Sequence, residues 1–143
     1  MFNISKGITD MDFENEYVTL QTDDILVSAC QAYLEDEDDN ACSYYLRIEN
    51  NSDDKIQILS KEFNIADDKG NLYLENGLVF KGEIPELVPG EYFEFSDSAP
   101  VKSAFAVLYG TCRIVKEKCN QVKDIKIPAV SLVGNVRLGS ALN

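Results

Sequence analysis

Residues 75–83 read ENGLVFKGE, placing Lys81 between two glycines. Glycines let backbone N–H groups approach phosphate oxygens, and a nearby lysine supplies charge. Gly77, Lys81 and Gly82 are therefore the candidate ligand-binding residues, for a nucleotide, pyrophosphate or similar phosphorylated ligand. Against this, Leu78, Val79 and Phe80 fill the space between the glycines, Glu75 and Glu83 flank the lysine, and the following segment reads as strand rather than helix. The expected role of these glycines, with Pro85, Pro89 and Gly90, is to turn the chain between strands.

A second constellation is EDEDD at 35–39. Hard cations such as Mg²⁺ and Ca²⁺ prefer such oxygens, but a calcium loop needs spaced acids, a glycine and a closing glutamate. A solvated, edge-protecting hairpin tip is expected, with no metal site. The absence of histidine removes any Ser–His or Cys–His pair. The carboxylates cluster in turns where water levels their pKa values, and Glu94, between Phe93 and Phe95, should face solvent by alternation. No catalytic residue and no cofactor are expected, so the chain reads as a non-enzyme. Cys30, Cys42, Cys112 and Cys119 form no CxxC pair. They read as reduced thiols, the first three at inward strand positions.

The third constellation is basic. RIVKEKCNQVKDIK (113–126) holds Arg113, Lys116, Lys118, Lys123 and Lys126 against two acids. Complementary charge steers encounter more than it adds affinity. These five residues are the candidate partner-binding set, for an acidic protein partner or a second copy of the chain.

The elements that must position these groups follow a period of two. CSYYLRIEN (42–50) alternates cleanly, and DILVSACQAYLE (24–35) is rich in strand formers. Pairing them about position 38 sets Cys30 opposite Leu46 and Ser28 opposite Ile48, with the even-numbered side buried. The apolar phase of KIQILSKEFNIAD (55–67) shifts near Ser60, which predicts a β-bulge. DDKGN and VPGE carry the glycines of a hairpin and a type II turn. EYFEFS, AFAVLYGTCRIVK and QVKDIKIP follow as strands, and the tail after Pro128 has no clear period. Seven or so strands and no amphipathic helix predict an all-β sandwich of two antiparallel sheets. Residues 24–143 form that domain. Residues 1–23 are an N-terminal extension in which YVTLQ (17–21) adds an edge strand or pairs with a partner.

Composition agrees with one globular domain: 143 residues, 45% hydrophobic, without tryptophan. The net charge of −12 lies wholly in residues 1–54, which hold 14 acids and two bases; residues 55–143 balance. Such a chain repels phosphate backbones, so nucleic acid is not an expected partner. No apolar run is long enough to span a bilayer, and the start carries no secretory h-region, so a cytoplasmic protein with no membrane partner is expected.

Several of these segments resemble the ApaG domain family. YYLRIENNSDDKIQILSKEFNIADDKGN is similar to that family's Y-x-x-x-IEN block and the run that follows it. PELVPGEYFEFSDSAP resembles P-x-L-x-PG-x-x-FEY-x-S-x-x-P, while GTCRIVKE and IKIPAVSL resemble G-x-Y-x-M-x-x-E and IPPFSL. The likeness covers about residues 24–133. It implies an immunoglobulin- or fibronectin-III-like sandwich. ApaG proteins are small bacterial proteins linked genetically to cobalt and magnesium tolerance, often encoded beside a dinucleotide polyphosphate hydrolase. Related eukaryotic domains serve as protein-binding modules. The chain departs from the pattern at Glu75, where the family's G-x-G-V-V-G begins with glycine, and has two extra residues between Gly77 and Gly82. It also departs at Phe63 (tryptophan in the family), Ser98 (glycine) and Ala106.

Overall fold

The computed structural model describes residues 2–5, 17–32, 41–77, 83–101 and 103–133. The strands are β1 (Phe2–Ser5), β2 (Val18–Thr22), β3 (Ile25–Ala32), β4 (Cys42–Asn50), β5 (Ile56–Asp67), β6 (Leu72–Gly77), β7 (Glu86–Leu87), β8 (Tyr92–Ala99), β9 (Phe105–Lys116) and β10 (Gln121–Val133). Sheet A has the order β1-β8-β4-β3-β2, and sheet B the order β10-β9-β5-β6, with β7 also pairing β5. All pairings are antiparallel. The chain changes sheets between β4 and β5, between β7 and β8, and between β8 and β9. That is the sheet-crossing pattern of an immunoglobulin-like sandwich.

The core lies between the sheets. Tyr44, Leu46 and Ile48 from β4 and Phe93 and Phe95 from β8 meet Ile56, Ile58, Phe63 and Ile65 from β5 and Leu108 and Ile114 from β9. Each such side chain stabilises the fold by roughly 1.5–3 kcal/mol relative to exposure. The bulge sits where expected, between Ile58 and Ser60. It lets Ile56 and Ile58 before it, and Phe63 and Ile65 after it, face one core.

The β3–β4 register differs from the expected one by a single residue. Cys30 lies opposite Tyr45, and Ala29 opposite Leu46. A one-residue offset turns the strand over. On β3 it is therefore Ile25, Val27 and Ala29 that enter the core, while Cys42 and Cys112 enter it from β4 and β9. Cys30 is buried, but on the other side of sheet A, with Ala32 and Tyr45. The strand count also rises from seven or so to ten among the described residues. Part of the excess is short strands, and β10 itself runs on through Pro128 to Val133, with a register shift between Ile127 and Val130. The missing proline N–H is tolerated because β10 is an edge.

The β5–β6 turn shows how local chemistry sets a hairpin. Gly70 N–H donates to the Asp67 carbonyl (3.3 Å), Asp67 N–H donates to the Asn71 carbonyl (3.0 Å), and Gly70 holds φ at 90°. The Asp67 carboxylate accepts from Lys69 N, Asn71 N and Nδ2, and the Tyr73 hydroxyl. Desolvation raises its pKa, but the hydrogen bonds from Asn71, Lys69 and Tyr73 outweigh it and hold the carboxyl below its ordinary 3.8. A depressed folded pKa contributes stability above pH 3.8 that fades as pH falls through the folded value. Asp67→Asn should lower the melting temperature at pH 7, and the gap from the parent should narrow at pH 3. Parallel melts at the two pH values check this.

Candidate functional site

Gly77 closes β6, opposite Lys61 of β5. Lys81 and Gly82 lie outside the described residues, as does EDEDD (35–39), so of the proposed ligand triad only Gly77 is placed. Around it the sandwich is unexpectedly polar. Beyond the bulge Lys61 shares the inward phase of Phe63, and its Nζ stands 4.6 Å from the centre of the Phe95 ring and 5.7 Å from that of Phe63. Glu75, opposite Phe63, accepts a 3.1 Å hydrogen bond from the Tyr44 hydroxyl. Burial first, then the Glu75 and Asp97 charges, push the Tyr44 hydroxyl above its ordinary value, so it remains a donor. Cys112, opposite Lys61 on the far side of β5, has its thiol pushed up to about 12 by burial, against the lowering effect of Lys61. It is a protonated core side chain and a poor nucleophile.

On the outside of sheet B, beside Gly77, a trough of about 370 Å³ is lined by Ser60, Lys61, Glu62, Asn76, Thr111, Arg113 and Asp124 among others. Of its charged lining residues, Lys61 turns its Nζ inward over Phe95, and Arg113 is already engaged: Nε and Nη2 donate to the Asp124 carboxylate at 2.9 and 3.3 Å.

The rest of the basic set is similarly divided. Lys118 Nζ donates to the Asp53 carbonyl at 3.1 Å, and its backbone N–H donates to the buried Asp54 carboxylate at 2.9 Å. Lys123 pairs with Asp23 in the β2–β3 turn. Lys116 and Lys126 have no ion-pair partner among the described residues. Lys118 and Lys123 thus tie the β9–β10 hairpin to acids and a carbonyl elsewhere in the chain, while Arg113 is held by Asp124 within the hairpin itself. Glu94 does point outward, but it is half-buried and accepts a 2.8 Å hydrogen bond from the Tyr45 hydroxyl.

Sequence reasoning did not single out the outer face of sheet B as a surface. Phe105, Val107 and Tyr109 of β9 and Leu72 and Leu74 of β6 are 55%, 40%, 42%, 54% and 59% exposed. The register sets Leu72 and Val107 on either side of Ala66, Leu74 and Tyr109 on either side of Asn64, and Phe105 opposite half-exposed Val133. These side chains form one connected apolar face. The signal was present: AFAVLY is apolar at every position, so β9 is apolar on both sides.

The fold and its motifs can be set beside known proteins. The ApaG domain model matches residues 32–116. The chain is 31% identical over 116 residues to Protein ApaG of Mesorhizobium japonicum, covering 78% of this chain and 88% of that protein. It is 33% identical over 97 residues to Protein ApaG of Beijerinckia indica, covering 68% and 74%. The chain belongs to the ApaG family. A crystal structure of the putative ApaA protein from Bordetella pertussis superposes with a TM-score of 0.70 at 26% identity, over 83% of this chain and 95% of that one.

The segments that carry the ApaG likeness hold the sandwich together. Asn50, which ends the IEN triplet, is a fully buried hydrogen-bond node. Gly90 of PGE takes φ 92° in the turn closed by Glu91 N–H on the Val88 carbonyl. Gly110 of GTC lies against the β5 backbone. Phe63, at the family's tryptophan position, is wholly buried and meets Tyr44 edge-on at 6.2 Å. No helix among the described residues is long and apolar enough to cross a membrane.

Proposed function

We propose that this ApaG chain is a non-enzymatic binding module that acts through protein–protein contact, with the outer face of sheet B as its docking surface. The observation that supports this is the connected apolar face of Phe105, Val107, Tyr109, Leu72 and Leu74. Solvent-exposed apolar side chains scattered singly need no explanation, but a connected face rimmed by polar residues marks an interaction surface. Lys126, exposed on β10 opposite Thr111 and so two residues along β9 from Tyr109, supplies positive charge at that rim, which suits an acidic partner and steers its approach.

Replacing Val107 and Tyr109 together by glutamate tests the reading. Both side chains stand in solvent, so the melting temperature should move by only a few degrees. Capture of the partner from native-host lysate on the immobilised chain should fall about tenfold or more, as expected when central anchors are lost from an interface. Equal capture by parent and variant would remove this face from consideration.

A second reading, a sensor of a small phosphorylated ligand or a divalent cation, is supported by the trough beside Gly77. With Arg113 paired to Asp124 and the Lys61 ammonium turned inward, the trough offers no surplus positive charge to a polyphosphate. Pyrophosphate, nucleotides, Mg²⁺ and Co²⁺ at millimolar concentration would raise the melting temperature by mass action if they bind the native state. A flat response argues against this reading.

A further inference from the structure

The edge of sheet B formed by β6 has a second property, carried by its backbone rather than its side chains. Among the described residues β6 has one neighbouring strand, β5. The hydrogen bond from Asp67 N–H to the Asn71 carbonyl fixes which residues point where. In an antiparallel ladder, bonded pairs alternate with unbonded ones. Tyr73, Glu75 and Gly77 therefore turn their N–H and C=O groups toward β5, while Leu72, Leu74 and Asn76 turn theirs to the open edge. Edge strands are ordinarily blunted by lysine, proline or a bulge. LYLENG contains neither lysine nor proline, and its pairing with β5 runs without a register shift from Leu72 to Gly77.

We infer that β6 pairs antiparallel with the β6 of a second copy of this chain, about a two-fold axis at Leu74. The sequence of the strand is self-complementary in that register. Leu74 faces its own copy, and Leu72 faces the copy's Asn76, so all three outward-turned residues on each side meet a partner with both backbone groups. On the inner side Tyr73 falls opposite the copy's Glu75, and Glu75 opposite its Tyr73, so no acid opposes an acid. A two-fold contact of this kind is closed and stops at two copies. It would join the β10-β9-β5-β6 paths of the two copies into one continuous run of eight strands. The acid surplus of the chain does not oppose it, because the −12 resides in residues 1–54 and all of sheet B lies in the balanced remainder. The inference shares Leu72 and Leu74 with the proposed face but does not need the rest of it: it needs the edge of β6, and Val107 and Tyr109 lie two strands away.

Sedimentation or light scattering across a micromolar-to-millimolar range should show the mass rising toward twice that of one chain. The rise should persist in high salt, because backbone pairing and leucine contact are screened little. Leu74→Pro removes the outward N–H at the axis without touching the ladder to β5, a position where an edge strand tolerates proline. It should leave the chain folded and monomeric. Leu74→Lys sets two like charges face to face and should weaken association about tenfold or more; it decides the matter if the proline variant fails to fold. The Val107→Glu, Tyr109→Glu variant should dimerise like the parent. A parent that stays monomeric throughout, or a dimer that survives Leu74→Lys or dissolves in salt, overturns the inference.

Discussion

Gly110→Ala is expected to be the most damaging small substitution in the molecule. Gly110 sits in β9 opposite Phe63 of β5 and holds φ at 151°. A Cβ built there would meet the Glu62 carbonyl oxygen at 2.1 Å and the Phe63 Cα at 2.9 Å. Both are backbone atoms of the neighbouring strand, so no side-chain rotation relieves the clash. The two strands must part or the ladder must shift at the centre of sheet B. A loss of about 4 kcal/mol is expected, in the range reserved for backbone strain and core disruption. For a domain of this size that lowers the melting temperature by on the order of 10 °C. Urea unfolding should show a lower midpoint with an unchanged slope. A midpoint within experimental error of the parent would mean that β9 and β5 approach less closely than described.

Asn50→Ala is expected to come next. Asn50 is wholly buried, and its amide spends every hydrogen-bonding group: Nδ2 donates to the carbonyls of Asp54 (2.8 Å) and Leu87 (2.9 Å), and Oδ1 accepts from Ser52 N–H (3.0 Å) and Oγ (2.6 Å). Its backbone N–H donates to the Glu91 carbonyl, and its carbonyl accepts from Gly90 N–H. One residue thus joins the end of β4, the 50–54 turn, β7 and the 88–91 turn. Through Asp54 the same network reaches Lys118 N–H in the β9–β10 hairpin. Alanine leaves two carbonyls and an N–H buried without the partner they have now, at about 1–3 kcal/mol each before relaxation. The expected loss is about 3 kcal/mol. Ser52→Ala, which removes one hydroxyl from the network, should lose about 1 kcal/mol. Equal losses for the two variants would show that the amide is not the node.

Both residues stand in segments quoted for the family likeness, and both act on the fold. The segments that make this chain recognisable as ApaG are those that close turns and seat strands against one another. The candidate docking face and the β6 edge draw on Leu72, Leu74, Val107 and Tyr109, which none of the quoted motif residues specify. Likeness therefore says much about architecture and little about what is bound.

Strand alternation, the turns at Gly70 and Gly90, the bulge before Ser60 and the absence of imidazole chemistry were all legible in the amino-acid sequence. Each depends on a residue's own conformational range or its immediate neighbours, and such properties survive without knowledge of the rest of the chain. Three matters were decided only by tertiary packing. The β3–β4 register was one, because ILVSACQA is acceptable on either face and alternation alone cannot choose between offsets that differ by one. The orientation of β6 was another, because LYLE by itself does not say which of its two faces is buried. The pairing of Phe63 with Glu75, and the Tyr44 hydroxyl waiting across the core, set Tyr73 and Glu75 inside and left Leu72 and Leu74 to solvent. The third was the standing of the basic hairpin, whose charges can be counted in the sequence. Whether a lysine is available to a partner depends on which acid the fold brings beside it, and Asp23, Asp53 and Asp54 lie more than sixty positions away along the chain from the residues they hold.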